Sequence, residues 1–291
     1  MNLIKGLLSG LGYFINTVLW TVPIVLLAFL KLLPVTLWQK MISYLIDGCA
    51  SGWIWVNSIN QNIFSGTKID VLNMPALSTK QWYMVISNHQ SWVDILILQR
   101  LLHGKIPFLK FFLKQQLIYI PIIGLAWWAL DFPFMKRYSR EFLSKNPHLK
   151  GRDVESTQKS CQKFKLKPVS VMNFVEGTRF TQAKWEKQQS PHQDLLKAKA
   201  GGLAFALNAM SGTLENIVDV TIVYPDGVPS FWQFISGQVK QVKVNVALDK
   251  IDQSLIGDYE NDPVFKANIQ QWLNQRWQAK QELLDSMKCE S

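Results

Sequence analysis

The stretch "WYMVISNHQSWVDIL", residues 82–96, carries the strongest signals for both the fold and the chemistry of this chain. Its first part, Trp82–Ile86, is a short apolar run typical of a buried strand. A polar loop follows, in which Ser91 and Asp94 have the Ser-x-x-acid spacing that begins a helix and lets the acid reach back to the cap. We therefore predict a strand, a loop and a helix in this order.

His89 and Asp94 lie five residues apart within this stretch. In an unbroken helix they would be rotated by about 140° from one another, so they can meet only if His89 lies in the loop and folds back. If they meet, the carboxylate can orient an imidazole that takes a proton near neutral pH. If they do not, Asp94 only caps the helix and His89 is a polar loop residue. The decapeptide around them leaves both interpretations open.

Outside this stretch, short apolar runs alternate with polar periodic segments. Three runs rich in valine and isoleucine are typical of strands: Pro168–Val175, Ile217–Tyr224 and Val239–Leu248. Asp153–Lys165, before the first of these runs, and Leu195–Met210, between the first and the second, have helical character, and "YPDGVP" at 224–229 has the composition of a turn. Strands that alternate with helices predict an α/β layer architecture.

The N-terminal region is long and apolar. Residues 6–30 carry no charge and as a helix would extend about 37 Å, enough to cross a bilayer core. The stretch 32–64 could form a second span or a helix that lies in the interface. The alternative is a helical hairpin buried in a soluble core. We predict a membrane-anchoring segment over residues 1–64 and one α/β domain over 65–291.

The overall composition limits the partners. The chain is apolar for a soluble protein, with 48% hydrophobic and 18% charged residues, which favours contact with lipid. Its net charge of +10 favours polyanions, whether phospholipid headgroups, phosphorylated small molecules or nucleic acid. The cysteines stand far apart without C-x-x-C spacing, which argues against a disulfide framework and a zinc site: Cys49, Cys161 and Cys289.

Two further motifs point to phosphate. In "NFVEGTRF", residues 173–180, Gly177 permits a sharp turn after a strand, and Arg179 can grip phosphate with paired hydrogen bonds. The alternative is a plain turn with a surface Arg–Glu pair. In "DFPFMKRYSR", residues 131–140, Arg137 belongs to a basic and aromatic cluster. Such a cluster is also typical of a membrane-surface patch, a nucleic-acid patch or a solvated face.

Several common catalytic motifs are missing from the sequence. There is no G-x-S-x-G, no glycine-rich phosphate loop of the G-x-x-x-x-G-K or G-x-G-x-x-G kind, and no H-E-x-x-H among the four histidines. A serine nucleophile and a metal site therefore have no support. If His89 is a base, it is expected to deprotonate a substrate hydroxyl directly.

In their order along the chain, these motifs resemble the signature of the PlsC-type 1-acylglycerol-3-phosphate (lysophosphatidate) acyltransferase family. The resemblance covers at least residues 82–224. The matched positions are Asn88, His89 and Asp94 for N-H-x-x-x-x-D, Phe134 and Arg137 for F-x-x-R, and Glu176, Gly177, Thr178 and Arg179 for E-G-T-R. Lys199 in "KAKAGG" corresponds loosely to a later basic residue of the family, and Asp219 stands near the place where the family's fourth block has proline.

This resemblance implies a mixed sheet flanked by helices, preceded by a membrane helix or hairpin. It also implies acyl transfer from acyl-CoA or acyl-carrier protein to a lysophospholipid at a bilayer, with no metal, cofactor or nucleic acid. His89 would be the base, Asp94 would orient it, and the other matched positions and Lys199 would serve substrate binding. The expected place is a bacterial inner membrane, with the site facing the cytoplasm.

The resemblance leaves the acceptor open, and with it whether the protein is catalytic. The acceptor could be 1-acylglycerol 3-phosphate, a lysophospholipid with a full headgroup, glycerol 3-phosphate or a lipid A precursor. A protein of the same fold could also be a non-catalytic lipid-binding module. Intact motifs around His89 and Arg179 weigh against that last reading.

Overall fold

The computed structural model describes residues 2–135, 164 and 167–289. The chain begins with two long helices, α1 (Asn2–Leu30) and α2 (Thr36–Asn60), and α2 continues into a π-helical turn, Gln61–Ser65. The strands in the described part are β1 (Lys68–Asn73), β2 (Tyr83–Ser87), β3 (Leu109–Phe111), β4 (Leu113–Lys114), β5 (Phe134–Met135), β6 (Ser170–Asn173), β7 (Asn216–Val223) and β8 (Gln241–Lys250). The remaining α-helices there are α3 (Val93–Leu102), α4 (Ile123–Ala129), α5 (Gln182–Gln188), α6 (Ala200–Ala209), α7 (Phe231–Ile235) and α8 (Pro263–Cys289).

The main sheet is mixed and has the strand order β1-β8-β7-β2-β6-β3. β2 pairs in parallel with both β7 and β6, and β6 pairs in parallel with β3. β8 runs antiparallel to β7 and carries β1 parallel to itself at the sheet edge. The carboxyl ends of β2, β6 and β7 therefore lie side by side, at the edge where α/β sheets commonly place ligand-binding loops.

β2 lies in the centre of this sheet, and all five of its residues are buried. Because side chains alternate between the two faces of a strand, Tyr83 and Val85 point into one hydrophobic cluster and Met84 and Ile86 into another. The first cluster is closed by α3 and by the α1–α2 hairpin, the second by α6 and α8. The result is a sheet covered by helices on both faces.

The α1–α2 hairpin has polar groups inside and apolar groups outside. Ser9 donates to Asn60 at 2.8 Å, and Asn16 donates to Asn57 at 2.8 Å, so the two helices run antiparallel. Large apolar side chains on the other face of α1 are exposed, among them Leu7, Leu11, Phe14, Leu19, Leu26 and Phe29. Among the described helices, α1 alone is long and apolar enough to cross a membrane, and only 22% of its most apolar window is buried.

Two ion pairs fasten the hairpin to the sheet layer. The Lys167 ammonium lies 2.5 Å from the Asp47 carboxylate of α2, and the pair is mostly buried. Lys31, just after α1, pairs with Asp131. The hairpin therefore packs against the rest of the chain as part of one body, while its assignment as a separate anchoring domain over residues 1–64 stays a prediction.

The predicted fold class is confirmed, and the predicted strands that begin near residues 82, 168, 217 and 239 agree with β2, β6, β7 and β8 within two residues. The helix expected over Leu195–Met210 begins only at Ala200. The preceding segment is extended, because the Lys199 amide donates to the Val175 carbonyl at 2.8 Å. The helix expected over Asp153–Lys165 lies outside the described residues.

Candidate functional site

Three loops meet at the carboxyl edge of the parallel strands. They follow β2, β6 and β7 and contain, in turn, His89, the Glu176–Arg179 motif and Tyr224. The Phe180 amide donates to the His89 carbonyl at 2.7 Å, and the Ser91 hydroxyl donates to the Pro229 carbonyl at 2.6 Å. The loop that carries His89 is thus held from both sides.

His89 folds back onto Asp94, which lies in the first turn of α3. Nδ1 of His89 is 2.9 Å from Oδ2 of Asp94, and the Asp94 carboxylate is 1% exposed. The same oxygen accepts the amide hydrogens of Gln90 at 2.7 Å and Ser91 at 2.9 Å. The two interpretations left open by the sequence are therefore one arrangement, because the acid that reaches back to the helix start also holds the imidazole.

The hydrogen bond to Asp94 assigns the imidazole tautomer. With Nδ1 donating to the carboxylate, Nε2 carries the free lone pair and can accept a proton. The imidazole also stacks on Phe174, with ring centroids 3.8 Å apart and planes 12° apart. The His89 side chain is 11% exposed, so the ring is fixed in position and still open to a small reacting group.

Asn88 fastens this loop to β7. Its side-chain amide donates to the Ile222 carbonyl and its oxygen accepts the Ile222 amide hydrogen, both at 2.9 Å. Asn88 itself is 1% exposed. Its expected part in substrate binding stays a prediction. These contacts indicate that Asn88 would contribute by holding the His89 loop in place.

Glu176 is also buried. Oε1 accepts the His89 amide hydrogen and Oε2 accepts the Leu196 amide hydrogen, each at 3.0 Å. Burial raises the pKa of Glu176 to about 8, and the two amide donors oppose that shift. The carboxyl group joins three loops and does not face open space. Its predicted role in substrate binding would therefore be to hold the loops of the site together rather than to contact phosphate.

Arg179 lies nearer the surface. Gly177 has a φ of 73°, which lets the chain turn sharply after Glu176, as its sequence position predicts. The Arg179 guanidinium then lies over the indole of Trp92, 4.5 Å from the ring centre. Because Trp92 precedes α3, the cation is held beside the helix that bears Asp94.

Lys184 of α5 adds a second cation to this loop. Its ammonium donates to Thr178 Oγ1 at 2.8 Å and to the Arg179 carbonyl at 2.9 Å. Lys184 could not be predicted as a site residue from the sequence, because nothing in the local pattern shows that α5 turns back onto the loop.

The remaining predicted site residues lie elsewhere or outside the described part. Phe134 lies in β5 beside Leu113 of β4, outside the three loops. Lys199 precedes α6 with an exposed side chain, and Arg137 is not among the described residues. The structure therefore brings together the first and third motifs, and the roles of all these residues stay predictions.

Two further contacts were not predicted from the sequence. Phe174, which stacks on His89, directly precedes the Val-Glu-Gly-Thr-Arg run, and its position at a strand end is a signal that could have been used. Tyr224 donates to Oδ1 of Asp94 at 2.5 Å, and it too follows a strand directly. Within the described residues, no group of three histidine, cysteine or acidic side chains is arranged to hold a metal ion.

Comparison with known proteins gives the family. The model of the family described as Acyltransferase matches residues 68–225, more than half of the chain. The chain belongs to the acyltransferase family. The match contains His89, Asp94 and the Glu176–Arg179 motif. The resemblance to the PlsC-type family that these motifs carry is thereby confirmed.

Among its acyltransferase relatives, the chain is 24% identical over 270 residues to the Arabidopsis thaliana protein named probable 1-acyl-sn-glycerol-3-phosphate acyltransferase 5. That alignment covers 88% of this chain and 65% of the relative. This chain is also 25% identical over 222 residues to the Mus musculus 1-acyl-sn-glycerol-3-phosphate acyltransferase gamma, and that alignment covers 72% of this chain and 54% of the relative. The chain thus spans between about half and two thirds of these relatives' lengths.

A solved acyltransferase structure shares the fold. The crystal structure of the 1-acyl-sn-glycerophosphate acyltransferase PlsC from Thermotoga maritima matches with a TM-score of 0.50 at 18% identity. The match covers 97% of this chain and 98% of that one, so it includes the N-terminal helices as well as the sheet.

Proposed function

We propose that this protein is a membrane-bound O-acyltransferase that moves a fatty acyl group from a thioester to the hydroxyl of 1-acylglycerol 3-phosphate, giving phosphatidate. The observation that carries the proposal is the His89–Asp94 pair, held at a strand end beside Arg179. The named acceptors of the relatives support the choice of lysophosphatidate.

The proposed chemistry needs a base and no protein nucleophile. Nε2 of His89 removes the proton of the acceptor hydroxyl while the oxygen attacks the thioester carbonyl. The carbon–sulfur bond then breaks, and the imidazolium returns its proton to the departing thiolate, whether of acyl-CoA or of acyl-carrier protein. Asp94 stabilises the imidazolium in between, since its carboxylate already accepts from Nδ1.

The acceptor phosphate is assigned to Arg179. Its guanidinium is planar and can bind two phosphate oxygens, and stacking on Trp92 keeps it oriented. Lys184 supports the same loop through Thr178. We assign Arg137 to the same phosphate on its motif alone.

We assign the acyl chain to the apolar side chains that extend away from His89. Aromatic rings follow one another from His89 through Phe174, Phe111 and Phe132, with centroids 3.8, 6.2 and 6.4 Å apart. Phe132 also lines a small apolar cavity beneath α1, together with Ile123, Ala126, Trp127 and Leu130. We therefore assign residues 123–130, the part of the apolar run 117–130 that lines this cavity, to a wall of the acyl groove.

We propose that residues 1–64 anchor the enzyme to the membrane, with the site on the cytoplasmic face. The exposed apolar face of α1 supports contact with lipid, and the polar contacts between α1 and α2 are all on the side away from it. Anchoring at the surface from which the acceptor comes would keep the lysophospholipid within reach of His89.

The experiment is product analysis by mass spectrometry. Membranes containing the protein are supplied with acyl-CoA or acyl-carrier protein and with a panel of acceptors: lysophosphatidate, lysophospholipids with full headgroups, glycerol 3-phosphate and a lipid A precursor. Phosphatidate from lysophosphatidate is the expected main product. Faster acylation of another acceptor would replace the substrate assignment, and an unconsumed thioester with every acceptor would favour a non-catalytic lipid-binding protein.

A further inference from the structure

Tyr224 closes the hydrogen-bond shell of the carboxylate that holds His89. We infer that its hydroxyl is a positioning group that sets the basicity of His89 through Asp94. This inference rests on the proposed function, in which His89 is the base. It concerns a residue outside the three motifs of the sequence.

The contact is short and buried. The Tyr224 hydroxyl donates to Oδ1 of Asp94 at 2.5 Å, and both residues are buried. The other oxygen, Oδ2, accepts from His89 and from the amides of Gln90 and Ser91. Among the described residues, Tyr224 is therefore the donor on the oxygen that the His89 loop leaves open.

The position of Tyr224 is fixed by the loop that it serves. Asn88 holds the main chain of Ile222, two residues before Tyr224, with a pair of hydrogen bonds. After Tyr224 the chain turns through Gly227, whose φ is 94° and whose amide donates to the Tyr224 carbonyl at 3.1 Å. Because β7 and the His89 loop are joined on either side of the contact, the hydroxyl has little freedom to leave Asp94.

The contact has a definite electrostatic effect. A donor on Asp94 withdraws negative charge from the carboxylate and so weakens its attraction for an imidazolium. Burial and the Asp94 charge raise the pKa of the Tyr224 hydroxyl well above its usual value, so the group stays protonated and remains a donor. Removing this donor should therefore strengthen the attraction of Asp94 for the imidazolium.

Other charged groups lie around this pair. They are Glu176 and Arg179 on the loop after β6, Lys280 of α8 behind β7, and the Asp194–Lys288 pair, which lines a cavity shared with Gln90 and Tyr224. Removing one hydroxyl leaves all of them in place. A change in the pH dependence of His89 reactivity can therefore be assigned to the loss of the Tyr224 hydroxyl.

The test compares Tyr224→Phe with Tyr83→Phe in the full chain. Tyr83 is an equally buried tyrosine of the neighbouring strand, and its hydroxyl bonds to Ser78 and Gln81 instead. The first readout needs no substrate: the pH dependence of His89 carbethoxylation by diethylpyrocarbonate, followed on the His89 peptide by mass spectrometry. The second readout is the pH profile of acyl transfer to lysophosphatidate.

In Tyr224→Phe the midpoint of His89 carbethoxylation should move to higher pH by about half a unit or more. The acid limb of kcat/KM should move with it, kcat measured below the midpoint should fall by about three- to tenfold, and KM for both substrates should stay within about twofold. Tyr83→Phe should match the wild type in all of these. Replacing Tyr224 by 3-fluorotyrosine, a stronger donor of nearly the same shape, should move the midpoint to lower pH.

Superimposable carbethoxylation curves for wild type, Tyr224→Phe and the fluorotyrosine protein would overturn the inference, even if activity had fallen. The fluorotyrosine protein keeps the test valid should Tyr224→Phe fold poorly. A shifted midpoint without any acyl transfer by the wild type would support the role of Tyr224 and contradict the proposed function instead.

Discussion

Arg179 stacks on Trp92, and within the described part of the chain its guanidinium makes no hydrogen bond or ion pair, so its edge can bind an anion. Arg179→Ala should therefore raise the apparent KM for lysophosphatidate by about tenfold or more while changing KM for the thioester by less than about twofold. Steady-state kinetics with each substrate varied in turn measure both values. Lys187→Ala, which removes an exposed cation of the neighbouring helix α5, is the matched control. Equal increases for both substrates would mean that Arg179 is structural or serves the thioester.

Glu176 gives the protein a pH-dependent stability. Burial raises the pKa of this carboxyl group from 4.5 to about 8, so the folded protein retains a proton that the unfolded chain releases. Its stabilising contribution is therefore complete below about pH 4.5 and is lost as the pH rises through about 8. Because glutamine does not ionise, the stability of Glu176→Gln relative to wild type should increase between about pH 5 and 8. Denaturant unfolding at several pH values measures this, and parallel curves would contradict it.

The chemistry of the site could be predicted from the sequence only as far as the motifs reach. His89, Asp94 and Arg179 stand in motifs whose residue types suggest their chemistry. Tyr224 and Lys184 reach the site through the fold of β7 and α5, and no local pattern shows those contacts. Glu176 was expected beside phosphate, but its burial depends on how the segment before α6 closes over it.

Among the secondary-structure elements, the central strands could be predicted and the edge strands could not. β2 and β7 are buried throughout, so their valines and isoleucines form clear apolar runs. β1 lies at the edge with four of its six residues exposed, and β3 is only three residues long. Such strands are defined by their pairing partners more than by their own composition.

Helix α8 supplies the partners of Asp219, the residue near the expected proline of the family. Lys280 is 2% exposed and donates to Asp219 at 2.5 Å, to the Val220 carbonyl and to Thr221. Arg276 adds a second contact to Asp219 at 3.2 Å. The acid thus binds α8 to the central sheet through a buried ion pair, which a proline could not do.

Removing one partner of this ion pair should destabilise the folded protein strongly. Asp219→Asn leaves the Lys280 charge buried and should lower the free energy of unfolding by about 3–5 kcal/mol. Adding Lys280→Met removes that charge and should restore most of the loss. Denaturant unfolding of both variants measures this, with the exposed Asp226→Asn as control. Equal stability of the single and double variants would contradict a buried ion pair.

In the molecule as a whole, the exposed apolar face of α1 and the sheet edge that carries His89 are parts of one packed structure. The α1–α2 hairpin closes one face of the sheet whose carboxyl edge carries His89. The exposed side chains of α1 are then available to lipid without any loss of the core. This arrangement suits an enzyme that takes its acceptor from the membrane.

Membrane retention should depend on that surface. Leu19 and Leu26 are 64% and 62% exposed and lie seven residues apart on α1, so Leu19→Glu with Leu26→Glu should weaken vesicle binding without unfolding the protein. Co-flotation with anionic phospholipid vesicles measures the bound fraction, and circular dichroism checks the fold. Leu72→Glu, at an exposed position of β1, should float like the wild type. Unchanged flotation of the double variant would place the lipid contact elsewhere.

The most direct test of the central claim is acyl transfer by His89→Ala, measured as phosphatidate formed from lysophosphatidate and acyl-CoA by membranes with equal amounts of protein. His103→Ala is the control, because His103 follows the far end of α3 and lies outside the site. The proposed mechanism predicts normal phosphatidate formation by His103→Ala and a loss of about 100-fold or more for His89→Ala, with the protein still folded and membrane-bound. Activity of His89→Ala within about tenfold of the wild type would contradict the assignment of His89 as the base.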